Sequence, residues 1–234
     1  MLSRQLVLWG GFPMVDHRLL AERYLLSLTK KKSPKICFVP TASGDSEFYS
    51  ARFLRRFSKL SCEPSVLALF QLSIRNIEKH ILDQDLLFVG GGNTLNMLAI
   101  WRARGLNAVF LEALNQGSIL SGVSAGSICW FESGLSDSVA AGDFRPLACL
   151  GFLAGSNCPH YDGEPGRQKI FRNLIAKKEI PDGFAADDGV GLHFVEGKFV
   201  EAVSLLRSAK AYRVVSSNGK AKQTTIEPRL LGKT

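Results

Sequence analysis

The chain has 234 residues, 46% of them hydrophobic, and 29 Lys and Arg against 21 Asp and Glu give it a formal net charge of +8. That composition excludes a disordered segment and is most simply one α/β unit over residues 1–234, its last ~20 residues forming a peripheral hairpin or tail. Nucleic acid is set aside as a partner, because the basic residues are scattered and the one run, Lys30-Lys31-Lys32, falls where a helix should end and complements its dipole. Five cysteines without a CxxC pair, and no apolar run of membrane-span length, argue against a disulfide framework, a zinc site and a membrane anchor, and for a cytoplasmic protein without metal or cofactor.

QLVLWGG (Gln5 to Gly11) reads as a buried strand and leads into an amphipathic helical pattern from His17 to Thr29. KICFVPTAS (Lys35 to Ser43) is a second strand, followed by a helix around Glu47 to Leu60, a strand in PSVLALF, a short helix around Ile74 to His80, and DLLFVGGGNT (Asp85 to Thr94). Near-continuous apolar strands alternating with helices predict a mostly parallel sheet with helices on both faces, where ligands bind beyond the carboxyl ends of the strands. After the segment SILSGVSAGSICWF and its helix the chain turns Gly-rich and strand-like through ACLGFLAGSNCPHYDGE, then gives one helix from about Pro165 to Lys178. Two strand pairs follow, in GFAADDGVGLHFVEGKFVEAVS and AYRVVSSNGKAKQTTIEP, the latter turning at Asn218-Gly219, and they predict an antiparallel C-terminal extension.

The run Gly122-Val123-Ser124-Ala125-Gly126 puts a serine between small residues where a strand becomes a helix. A nucleophile elbow has this form: a strained turn lifts the hydroxyl clear of the sheet edge, and small neighbours let the backbone pack tightly. Such a serine needs an oxyanion site and a base. FVGGGNT supplies bare backbone N–H groups at a strand end, and Gly91 and Gly92, with the N–H of Ala125, are the economical oxyanion donors; its spacing fits neither GxGxxG nor a Walker loop.

Of four histidines, His17 and His80 lie in polar helical contexts and His193 reads as a strand position. His160, in NCPHYDGE, follows an apolar strand and precedes a polar turn, so it is the predicted base. Asp137, Asp162, Glu164 and the Asp187-Asp188 pair are all open as the orienting acid; adjacent aspartates on an extended run point to opposite faces, so at most one of that pair can serve.

With GGGNT, GVSAGS and CPHYDGE in this order and setting, the chain resembles the peptidase E family of serine peptidases, the aspartyl dipeptidases and their relatives, over nearly its whole length. The resemblance implies a fold like the class I glutamine amidotransferases, flavodoxin-like in three layers, with serine in place of their cysteine. It also implies a Ser124–His160–acid triad and hydrolysis of short peptides. The family's acid, usually glutamate before glycine, falls on Asp188 before Gly189, one methylene shorter; Asp137 is the alternative acid. The family's substrate-binding arginine aligns with Gly166, Arg167 standing one residue later, so Arg167 and Asn93 are the substrate-binding candidates and Asp-Xaa specificity is an open expectation. Competing readings are an esterase-type α/β hydrolase with the order Ser124, Asp137, then His160 or His193, and a non-catalytic module holding a peptide or an anion. A homodimer is left open.

Overall fold

In the first half of the chain, strands alternate with helices: β1 (Gln5–Trp9), α1 (Leu20–Leu28), β2 (Lys35–Val39), α2 (Glu47–Phe57), β3 (Glu63–Val66), α3 (Ile77–Leu82), β4 (Leu86–Val89), α4 (Thr94–Ala103), α5 (Leu106–Asn115) and β5 (Ile119–Val123). The second half is strand-rich, with the single turn α6 (Ala125–Ile128), β6 (Phe131–Ser136), β7 (Arg145–Ala148), β8 (Leu153–Cys158), α7 (Arg167–Ala176), β9 (Gly183–Ala186) and β10 (Val190–Val195). It closes with β11 (Lys198–Ser204), β12 (Ala211–Ser217), β13 (Lys220–Ile226) and β14 (Arg229–Leu230). This computed structural model describes residues 3–12 and 17–232.

Two mixed sheets result. The larger has eight strands in the order β14-β11-β10-β1-β5-β4-β2-β3, and β1, β5, β4, β2 and β3 run parallel. Its strands alternate their side chains between two cores, as the pleat requires. Leu6, Leu8, Cys37, Val39, Leu87 and Val89 face Trp101 and Phe110 of the α4–α5 layer. Val7, Trp9, Ile36, Phe38, Leu86 and Phe88 face Leu25 of α1 and Phe53 and Phe57 of α2. The smaller sheet has six strands in the order β13-β12-β9-β8-β6-β7 and is covered by α7 through Phe171, Leu174 and Ile175.

The fold class is the expected α/β one, but the C-terminal strands do not form one extension. β9 stays in the smaller sheet beside β8 and β12, whereas the β10–β11 hairpin adds antiparallel to β1 in the larger sheet. The chain therefore crosses from sheet to sheet at Asp187-Asp188-Gly189. Side-chain alternation identifies a strand but carries no information about which free edge it joins. Other elements are shorter than the sequence pattern implies. α1 starts at Leu20, and part of the segment before it, residues 13–16, lies outside the described residues. α2 stops at Phe57, and the PSVLALF strand pairs only as far as Val66. Among the described residues no helix is long and apolar enough to cross a membrane.

Candidate active site

The carboxyl ends of β1, β2, β4 and β5 open on one side of the larger sheet, and Ser124 follows β5 directly. Its backbone sits at φ 56° and ψ −114°, a region that L-residues rarely occupy and that costs on the order of 1–3 kcal/mol. The surroundings impose it: the Ser124 carbonyl accepts from Ser127 N at 2.8 Å and Ile128 N at 3.0 Å, starting α6, while Ser124 N donates to Trp9 O at 3.3 Å. Glycine at both ends of the motif makes the turn possible. A Cβ on Gly122 would lie 2.2 Å from Gly126 O, and one on Gly126 would lie 2.3 Å from Val89 O. Both clashes are with backbone, which cannot swing aside. Gly126→Ala is therefore expected to lower unfolding stability by about 3 kcal/mol or more, read as a lower urea midpoint at unchanged m-value.

The glycines after β4 lie against this elbow. A Cβ on Gly91 would stand 3.2 Å from the Cβ of Ser124, and Gly92, at φ 137°, passes within 2.2 Å of Ala42 O by the same measure. Among the described residues the N–H groups of Gly91, Gly92 and Ala125 find no acceptor, and the Ser124 hydroxyl has no hydrogen-bond partner. Gly91, Gly92, Ser124 and His160 line one cavity of about 360 Å³.

His160 follows β8 of the smaller sheet, and Asp188 lies in the crossing from β9 to β10, so the joint between the sheets brings them together. His160 Nδ1 is 2.6 Å from Asp188 Oδ1. The two loops are tied around that contact: Tyr161 N donates to Ala186 O at 3.1 Å, Asp188 N donates to Asp162 Oδ1 at 2.9 Å, and Gly189 N donates to Gly11 O at 2.9 Å. The hydrogen bond from His160 holds the Asp188 carboxyl below its ordinary range, against the opposing effect of burial. Among the described residues His160 Nε2 has no partner. A strained serine and a carboxylate-held imidazole on one cavity, with N–H groups that have no acceptor among the described residues, are the kinds of group that acyl transfer uses.

The profile of peptidase family S51 matches residues 6–202. The chain belongs to peptidase family S51. It is thereby a serine-type peptidase. It is 43% identical over 223 residues to an uncharacterized peptidase, YgaJ, of Bacillus subtilis (strain 168), covering 95% of this chain and 96% of that one. Peptidase E of Streptomyces coelicolor is 24% identical over 167 residues, 63% of each chain. In fold the S51 chain is similar to a peptidase from an acI-B1 Actinobacterium, with TM-score 0.72 at 16% identity over 99% of this chain and 96% of that one. It is also similar to a putative peptidase E of Listeria monocytogenes EGD-e, with TM-score 0.64 at 19% identity over 87% and 100%.

Several of the candidate residues in this S51 chain stand elsewhere than expected. Arg167 does not reach the cavity: only 3% exposed, it is held by Glu164 Oε2 through Nε at 2.8 Å and Nη2 at 2.5 Å, donates to Pro159 O, and lies 4.4 Å over the Phe144 ring. It fastens the loop carrying His160 to the start of α7. Asn93 caps α4 and does not line the cavity, its Oδ1 accepting from Asn96 N at 2.8 Å and its Nδ2 donating to Ser138 O at 2.9 Å. Asp137, the alternative acid, makes no hydrogen bond to His160. His193 is a satisfied sheet residue between the Tyr24 hydroxyl at 2.8 Å and Gln5 Oε1 at 3.1 Å.

Asp187 turns away from its neighbour, its Oδ2 accepting from Lys210 N at 2.8 Å while Oδ1 is buried without a partner. Burial first, then the negative charge of Asp162 and Asp188, pushes its pKa up to about 6. Folding therefore favours its protonated form, and the protein should lose stability as pH rises from about 4 to 6 and stay at the lower value above it. Asp187→Asn keeps the acceptor for Lys210 and removes the titration. It should gain on the order of 1–2 kcal/mol over wild type at pH 7.5 and little at pH 4.5, a difference that thermal melts at the two pH values would detect.

Proposed function

We propose that this S51 peptidase hydrolyses short peptides through an acyl-enzyme on Ser124. Ser124 Oγ attacks the peptide carbonyl and passes its proton to His160 Nε2, the imidazole nitrogen that Asp188 leaves unoccupied. Asp188, on Nδ1, fixes the tautomer and stabilises the imidazolium. The negative charge that develops on the carbonyl oxygen falls to the N–H groups of Ala125 and of Gly91 or Gly92, which make no other hydrogen bond among the described residues. His160 then gives its proton to the leaving amine, and water, deprotonated by the same nitrogen, clears the ester.

The 2.6 Å contact between His160 Nδ1 and Asp188 Oδ1, beside a serine with no other partner, carries this reading. The cavity supports the short-peptide part: about 360 Å³ is at the small end of ligand sites, room for a dipeptide-sized molecule and not for a folded chain. The test is a fluorophosphonate probe, which reacts only with an activated serine. Labelling at Ser124, located by mass spectrometry of the digested protein and lost in His160→Ala, is the expected result. An inert Ser124 would end the proposal and move the nucleophile of this peptidase to another residue.

A further inference from the structure

The cavity runs from Ser124 into a wall of phenylalanine rings. Phe38 of β2, Phe53 and Phe57 of α2, Phe88 of β4 and Phe12 beyond β1 all line it. They hold one another in place: Phe38 stacks on Phe53 at 4.8 Å and 12°, Phe53 meets Phe57 at 4.3 Å, and Phe12 stands edge-on to Phe88 at 5.7 Å. A wall fixed in this way presents ring faces and edges to a ligand without first having to order them.

The polar groups on the same cavity include Glu22, Arg52 and Arg56. Glu22 is 1% exposed; its Oε1 accepts from Arg56 Nε, and its Oε2 is buried with no hydrogen-bond partner. The Arg56 guanidinium also lies 6.0 Å over the Phe12 ring, and that of Arg52 lies 6.0 Å over the Phe48 ring. Building on the reading of Ser124 as the acylated serine, we propose that the residue donating the scissile carbonyl carries an aromatic side chain. Its ring fills the phenylalanine-walled slot. A short acidic side chain is disfavoured: it would cover less of that apolar wall, Arg56 on the same cavity is already paired with Glu22, and Arg167 is spent on Glu164 and Phe144.

The test compares rates of Ser124 labelling by diphenyl α-aminoalkyl phosphonates with tyrosine, phenylalanine, leucine and aspartate side chains, with a plain fluorophosphonate as control. These probes report the slot alone, whatever leaving residue the peptide has. Tyrosine and phenylalanine probes are expected to react at least about 50-fold faster than aspartate, a ratio within reach of differences in apolar burial. Faster reaction of the aspartate or leucine probe, with the control labelling Ser124 normally, overturns the aromatic slot and leaves the proposed mechanism standing. Failure of every probe, the control included, overturns the mechanism and the slot together.

Discussion

Ser124→Ala is expected to lower kcat for peptide hydrolysis by about 10⁵-fold or more, because without the hydroxyl the remaining groups can only orient and polarise a direct attack by water. Folding should survive unchanged. Alanine keeps the Cβ and therefore the same unfavourable backbone conformation at φ 56° and ψ −114°, and the lost hydroxyl has no hydrogen bond to another described residue. Ser124→Gly separates chemistry from strain: equally inactive, it should be more stable than the alanine variant by about 1 kcal/mol, since glycine occupies that region at little cost. Urea titrations of the two variants beside their dipeptide turnover would check both statements. Full turnover by the alanine variant would remove Ser124 from the reaction, and equal stability would mean that the elbow stores no strain.

The elbow was readable in the sequence because its requirement is local: Gly122 and Gly126 must lack side chains where the backbones of β4 and α6 meet, and five adjacent residues carry the whole pattern. The alternation of apolar strands and helices was legible for a similar reason, β1, β2, β4 and β5 being buried on both faces. What escaped depends on distance along the chain. The split of the C-terminal strands between two sheets is a choice among edges, and the His160–Asp188 contact spans 28 residues, so resemblance, not the residues themselves, ranked Asp188 above its rivals. The phenylalanine wall hid in plain core positions: Phe38 and Phe88 read as strand interior and Phe53 and Phe57 as the apolar stripe of a helix, which they also are. Two misplacements had local signals. Glu164 stands three residues before Arg167, the spacing of a helical ion pair, and Asn93 at the head of a helical pattern is an N-cap residue by type.

Asp188→Asn should reduce kcat/KM by about 10⁴-fold while leaving the slot and the elbow in place. The amide is nearly the same size, so the loss has to come from charge and tautomer. With aspartate the acceptor Oδ1 demands a proton on Nδ1 and leaves Nε2 bare to take the one from Ser124; an amide can turn its NH₂ toward Nδ1 and move the imidazole proton to Nε2, where it blocks that transfer. Because the His160 hydrogen bond keeps the Asp188 carboxyl ionised below its ordinary range, the wild-type effect should persist across the neutral pH range, and the variant should not recover at any pH there. Asp188→Glu, which restores the side chain the resemblance associates with this position, should lose less than the asparagine variant, although Gly11 lies close enough for its missing Cβ to fall 2.0 Å from Asp188 Oδ1 and leaves little room for an added methylene. The decisive comparison is the double variant. If Asp188 acts only by preparing His160 to take the Ser124 proton, adding Asp188→Asn to Ser124→Ala costs almost nothing further, since the proton it helps to move is no longer there. A second loss of about 10⁴-fold in the double variant would instead mean that Asp188 touches the substrate or holds the site together independently of Ser124.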